Sequence, residues 1–170
     1  MLDLSAHFSS ILSAVGNARQ GLPKPVFFFV SQLVPMVNVD LLIKNAEGQT
    51  LLTWREDEFY GPGWHVPGGI IRFKELAETR IQKVAESELK VSVNAEKTPI
   101  CVKEVMANNR DVRGHFVSML YRCELTGLLN PLQAYQAGEP NQNGHWQWHD
   151  SCPDNIIPQH EIYRAYISCD

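Results

Sequence analysis

The stretch Gly63 to Val91, "GWHVPGGIIRFKELAETRIQKVAESELKV", ends in an amphipathic helix with a carboxylate in an unexpected place. Wound at about 3.6 residues per turn, Leu76 to Leu89 places Ala77, Ile81, Val84 and Ala85 on one apolar stripe. Glu88 lies four residues after Val84 and seven after Ile81, within that stripe. An ionised carboxylate facing a core is costly unless it is paired or binds a cation. A buried arginine, a helix end that protrudes into water, or a metal ion would each satisfy Glu88. The preceding Pro67-Gly68-Gly69 is a tight bend where a carbonyl can point inward and a ligand can approach the backbone. A carboxylate and a backbone carbonyl converging on one point suit a hard cation such as Mg²⁺.

The 170 residues suffice for one domain with a full core. Hydrophobic content of 44% and charged content of 20% are those of a water-soluble globular protein. The net charge of −4 argues against a dedicated nucleic-acid binder, which would carry a basic surface. Cys101, Cys123, Cys152 and Cys169 form no C-x-x-C pair or zinc-like spacing and read as free thiols of a reducing, cytoplasmic compartment. "MLDLSAHFSS" has no basic segment followed by a long apolar one, so no secretory signal is expected. "PVFFFVSQLV" is too short to cross a membrane and is read as a buried strand.

Along the chain, Asp3 to Ala14 has helical spacing, with Leu4, Phe8, Ile11, Leu12 and Val15 on one side and Gly16 as a stop. Val26 to Val34 is a first strand, Met36 to Lys44 a second, and Leu51 to Arg55 a third, the last two joined across "NAEGQ" with hairpin spacing. "REDEFYGPGW" is a loop, Val66 to Arg72 is extended, and the Glu88 helix starts near Lys74. Ile100 to Met106 and His115 to Leu125 form a hairpin across "ANNRDVRG". "HWQWHD" is a short strand, and "PQHEIYRAYIS" is a closing helix with Pro158 in its first turn. This order predicts an α/β protein: a mixed β-sheet with helices on its faces, residues 1–170 forming one domain and 1–34 a helix-strand extension.

The same residues carry a resemblance to the Nudix hydrolases, whose signature is G-x5-E-x7-R-E-U-x-E-E-x-G-U, with U bulky and aliphatic. Gly69, Glu75, Glu88 and Val91 match, and Lys83 replaces the arginine. Val84 and Ser87 stand where two further metal-binding acids are usual. The resemblance extends over roughly Pro35 to Asp150 and implies the Nudix fold, an α/β/α sandwich. Loss of those two acids is similar to the GDP-mannose mannosyl hydrolase branch. In that branch one Mg²⁺ (with Mn²⁺ as a possible substitute) is held by the last glutamate, the carbonyl of the first paired glycine and a late glutamine. The resemblance thus implies Glu88, Gly68 and Gln142 as metal ligands, and Asp40 and Arg55 as catalytic residues on the first hairpin.

The chain departs from the branch in three places. Asn143 occupies the position of the general-base histidine, leaving His145 as the nearest imidazole. Ile70 replaces an arginine at the leaving diphosphate, for which Arg72 on the same strand face is a substitute. Phe116 replaces a tyrosine. Arg55, Arg72 and Phe116 are therefore the expected substrate contacts, with Arg55 presenting a planar cation to phosphate. Arg110 and Arg113 in "NNRDVRGH" are either a solvated loop or a greeting to an anionic substrate. His65 reads as a surface residue or a support for the site, His115 as a cleft or cross-strand residue, and Trp146 and Trp148 as divided between core and cleft wall.

The expected activity is Mg²⁺-dependent hydrolysis of a nucleoside diphosphate derivative, a nucleotide sugar such as GDP-mannose first, by a homodimer with small-molecule nucleotide substrates and no nucleic-acid or membrane partner. Attack at the sugar carbon and attack at phosphorus both remain open. A Nudix-fold nucleotide-binding module with weak catalysis is the alternative that the missing acids permit.

Overall fold

The computed structural model of the chain describes residues 4–168. At its centre is the strand Met36–Ile43 (β1), buried from Val39 onward. β1 runs parallel to the long strand His115–Leu125 (β7) and antiparallel to Gly68–Ile70 (β4). β7 pairs in addition with Val93–Ala95 (β5) and Cys101–Met106 (β6), both antiparallel, to complete a five-stranded mixed sheet. Thr50–Arg55 (β2) joins Gly63–His65 (β3) and Trp146–His149 (β8) in a second, three-stranded antiparallel sheet.

Strand alternation divides the apolar residues between two cores. Val39, Leu41 and Ile43 of β1 pack with Leu51, Ile81, Val84 and Leu89 in one. Leu42 packs with Leu52, Trp54, Trp64, Leu120 and Tyr163 in the other. The helix Ala77–Val84 (α3) covers the first core through Ile81 and Val84. A 3₁₀ segment, Pro158–Tyr163, continues into Arg164–Ile167 (α4) and covers the second through Tyr163 and Ile167. This is the α/β/α layering expected of the sequence.

α3 does not continue in α-helical register to Glu88. It passes into a π-helical turn over Ala85–Leu89 and stops at Lys90, whose φ of 58° is left-handed. Leu89 goes into the core while Glu88 stays at its edge, only partly buried. At the other end, Lys74 has φ 54°, which an α-helix cannot contain, so the helix begins at Ala77 rather than near Lys74.

Other expectations are corrected by the fold. Val26 to Val34 is not a strand: Lys24–Ser31 forms a helix (α2), so the extension is helical throughout its regular segments. Aromatic density there suggested a strand, but Phe28 packs edge-on against Phe59, and Pro25 sits in the first turn, where a helix needs no amide donor. The first helix is found at Leu4–Val15 (α1), Asp3 lying outside the described residues. The apolar side of α1 is not covered: Leu4, Phe8 and Leu12 are 56%, 47% and 70% exposed. β1 and β2 connect through the expected turn, with a Lys44–Thr50 bridge, but then diverge into different sheets instead of forming a full hairpin. The β6–β7 hairpin is as read, and β3 and β5 are additional short strands. Cys101, Cys123 and Cys152 are free thiols, and Cys169 lies outside the described residues. Burial pushes the Cys123 thiol up to about 12.

Candidate active site

A cleft of about 610 Å³ opens at one end of β1, between β4, β7, the C-terminal 3₁₀ segment and the N-terminal extension. Its floor follows from strand parity. Asn38 and Asp40 share the β1 face that farther along carries Leu42, and Ser118 lies beside Asn38 on β7. One face is therefore apolar in the core and polar where it reaches the cleft.

Asp40 is 1% exposed. Its Oδ1 accepts from Asn38 Nδ2 at 2.7 Å, and its Oδ2 accepts from the Tyr163 hydroxyl at 2.7 Å. Burial pushes its carboxyl up to about 7, against the hydrogen bonds of Tyr163 and Ser118 and with a smaller upward push from the Glu88 charge. Gly68 pairs with Asp40 across β1 and β4, and a Cβ there would stand 2.1 Å from Asp40 Oδ1. Only glycine allows the backbone this close to the carboxylate.

His65 stands between the β2–β3 ladder and Glu88. Its Nδ1 lies 2.8 Å from the Thr53 carbonyl, which can only accept, so the ring donates from Nδ1. The opposite nitrogen, Nε2, then faces Glu88 Oε2 at 3.3 Å. Thr53 donates its hydroxyl to the same carboxylate oxygen at 3.5 Å. Nearby, His160 Nδ1 accepts from the Val66 amide at 3.0 Å, and burial holds this imidazole well below its usual range, hence neutral. Glu88 therefore accepts from Thr53, and from His65 only when Nε2 carries a proton as well; its side chain is 27% exposed.

Glu75 has a different setting. Its side chain is 5% exposed and takes Arg80 Nη2 at 2.6 Å and Lys83 Nζ at 2.8 Å. It also accepts the Arg72 amide at 3.0 Å. Burial would raise its carboxyl, but these donors outweigh that and hold it down at about 2. Lys83, in place of the signature arginine, is part of this cluster, which ties the β4–α3 loop to the helix.

Arg55 ends β2 on the rim of the cleft, paired with Asp57 and stacked on Tyr60 with its guanidinium carbon 4.6 Å from the ring centre. Arg72 and Phe116 also line the cleft, Arg72 running beside Gly21 of the extension. The structure therefore brings Asp40, Arg55, Gly68, Arg72 and Phe116 to one cleft, with Glu88 joined to it through His65.

Glu88, Gln142 and His145 are not among the residues lining that cleft. His145 is backbone-bonded to Trp54, one residue from Thr53 and thus on the opposite side of the ladder. Its ring sits 6.4 Å from Tyr135, and its Nδ1 accepts the Gln142 amide at 3.2 Å. Asn143 has a structural use: its side chain both donates to and accepts from the Glu56 backbone, at 2.6 Å each, as a strand neighbour would. Trp146 and Trp148 both pack on the first core rather than dividing between core and cleft. His115 pairs with Glu104 on the neighbouring strand at 3.0 Å.

Sequence reasoning gave His65 too small a part and missed Asn38, Ser118, His160 and Tyr163. The Asn38–Asp40 alternation was a legible signal of a polar end to β1, whereas nothing local marks His160 or Tyr163. Among the described residues, no three His, Cys, Asp or Glu side chains form a ready metal cage. The Glu88 carboxylate, 27% exposed, leaves room for a cation that takes its other ligands from backbone, substrate and water, as Mg²⁺ does.

Residues 34–152 match the NUDIX domain, and the chain belongs to the Nudix family. Members of this family generally use a divalent metal. The structure is similar to a MutT NUDIX hydrolase from Burkholderia pseudomallei, with TM-score 0.61, 22% identity, and 79% of this chain and 99% of that one covered. A MutT protein from Methanosarcina mazei Go1 gives TM-score 0.60 at 11% identity, over 79% of this chain and 94% of that one. A UDP-X diphosphatase gives TM-score 0.55 at 18% identity, over 97% and 76%. At these identities the likeness is one of fold. A 63-residue stretch, 37% of the chain, is 43% identical to the low-salt glycan biosynthesis protein Agl8 of Haloferax volcanii and spans 40% of that relative's length. No described helix is long and apolar enough to cross a membrane.

Proposed function

We propose that the chain hydrolyses a nucleotide sugar, GDP-mannose being the first substrate to try, with Mg²⁺ or Mn²⁺ as cofactor. The observation that carries this reading is the Glu88–His65 contact beside the Asp40–Gly68 floor, with Arg55 across the cleft. The likeness to a glycan biosynthesis protein favours a sugar-bearing substrate. Glu88 and the Gly68 carbonyl would hold the metal, with Gln142 as a third ligand if its loop moves to the cleft. When bound, the metal neutralises the diphosphate and improves it as a leaving group.

The chain's own groups supply the rest. Arg55, and Arg72 beside it, place fixed positive charge where the leaving group gains negative charge. Asp40, held by Asn38 and Tyr163, sets the position of the Gly68 backbone. For the proton of the attacking water, His65 Nε2 is better placed than His145, because its Nδ1–H is anchored on Thr53 and its free nitrogen faces Glu88. The enzyme would work as a homodimer in the cytoplasm, on nucleotides and not on nucleic acid or membranes; the uncovered apolar side of α1 and the free thiols support the first two points.

The test is turnover of GDP-mannose and other nucleotide sugars with and without Mg²⁺ in ¹⁸O-labelled water. Label in the sugar supports attack at carbon. Label in phosphate makes the enzyme a pyrophosphohydrolase of another nucleoside diphosphate derivative, and binding without turnover makes it a nucleotide-binding module.

A further inference from the structure

Three arginines converge on one aromatic ring at the rim of the cleft. The guanidinium carbons of Arg55, Arg110 and Arg113 lie 4.6, 4.9 and 4.8 Å from the centre of the Tyr60 ring. Arg113 stacks on Phe59 as well, at 4.9 Å. Like charges this close repel unless anions intervene. Asp57 pairs with Arg55, while Glu58 is turned away to Lys24. Neither Arg110 nor Arg113 has a carboxylate partner among the ion pairs of the described residues. Nη1 of Arg110 and Nε of Arg113 are buried with no hydrogen-bond partner. Arg55 and Arg113 line the cleft, whereas Arg110 lines a neighbouring hollow with Glu58 and Asp111; buried polar atoms are nearly always satisfied, so the orphaned Arg113 nitrogen at the cleft calls for an acceptor.

The arrangement is held from behind. The Arg113 amide donates to Ser31 Oγ of α2 at 3.1 Å, and Phe27 of the same helix lies 5.7 Å from the Arg113 guanidinium. The β6–β7 loop is closed by Ala107 N to Gly114 O at 2.7 Å and Arg110 N to Ala107 O at 3.1 Å. Burial, with a smaller push from the Arg55 charge, pulls the Arg113 pKa down from its usual value, against an upward pull from Tyr60 and Asp57.

We infer that Arg113, beside Arg55 and with the charge of Arg110 against the same Tyr60 ring, forms an oxyanion subsite that receives a second anionic group of the substrate, a carboxylate or a phosphoryl group, beyond the diphosphate. This rests on the proposed reading that Arg55 meets the diphosphate. The guanidinium fork matches either oxyanion. Two sources would present it: an acidic sugar attached to the nucleoside diphosphate, or a third phosphate on the nucleotide.

Calorimetric titration in metal-free buffer distinguishes them, using the matched pairs UDP-glucuronate with UDP-glucose and GTP with GDP. The more anionic member of one pair is expected to bind at least about tenfold more tightly, and that ratio falls below about twofold in Arg113→Gln and in Arg110→Gln. A preference within the first pair assigns the acidic sugar, and one within the second assigns the third phosphate. Equal binding within both pairs, or a preference that survives both substitutions, overturns the subsite. Inorganic pyrophosphate is titrated in parallel. If no nucleotide binds, the nucleotide reading fails; the subsite stands if pyrophosphate binds and is lost in Arg113→Gln, and falls if it does not. The Ser31 bond is made by the Arg113 backbone amide, so both replacements spare it, and melting curves of both variants check the fold.

Discussion

His65 Nε2 lies 3.3 Å from Glu88 Oε2, while the other nitrogen of the same ring is fixed on the Thr53 carbonyl at 2.8 Å. The carboxylate of the π turn that follows α3 therefore faces a histidine of the second sheet, which bonds it once Nε2 carries a proton. Glu88→Gln keeps the shape and the threonine contact but removes the charge. Metal-dependent turnover is expected to fall at least about 100-fold, with little change in melting temperature. Full activity of the variant would remove Glu88 from the metal site.

Histidine variants separate two candidates for the base. His65→Gln is expected to lower kcat about 100-fold, while His145→Gln stays within about threefold of the parent enzyme. The contrast follows from placement, since His145 lies on the opposite side of the β2 ladder and is bonded to its own loop. The reverse result would mean that the loop of Gln142 and His145 closes onto the cleft in the working enzyme.

Arg55→Lys retains the charge but loses the planar fork. It is expected to reduce kcat/KM by about tenfold or more, because a lysine cannot make the paired contact to phosphate oxygens. Steady-state kinetics on the preferred substrate is the measurement.

Glu75 gives a pH dependence of stability. Its folded carboxyl is held down at about 2 from a usual value of 4.5, so its contribution is complete above pH 4.5 and is lost as the pH falls toward 2. Urea unfolding between pH 6 and 2.5 is expected to show this loss. Glu75→Gln should flatten that part of the curve and cost about 3 kcal/mol at pH 7, because it leaves buried Arg80 without its partner.

Lys90 ends the π turn at φ 58°, at the position where the Nudix signature has glycine. Lys90→Gly relieves the left-handed penalty and should stabilise the protein by about 0.5–1 kcal/mol, read as a rise in melting temperature without change in kcat. The contact of its Nζ with the Ser87 carbonyl is exposed and subtracts little.

Much of this protein was legible in local sequence because its signals are local. The alternation of β1 and β7, the turn at "NAEGQ", and the helical spacing of Ile81 and Val84 each specify an element within a few residues. The misplaced Glu88 and the Gly68-Gly69 bend marked the site by violating those same patterns. What tertiary structure alone decided depends on contacts between distant segments. Val26 to Val34 had the composition of a strand but became helix because its aromatic rings found Phe59 and Arg113, not a sheet edge. The strands around "NAEGQ" had hairpin spacing, yet packing sent β1 and β2 into different sheets. His65 lies beside a glutamate 23 positions away, Tyr163 donates to Asp40 across 123, and His145 is set away from the cleft by its backbone bond to Trp54, which no short stretch contains. Side-chain type and spacing are written in the chain, but which polar groups share one buried space is set when the two sheets close on each other.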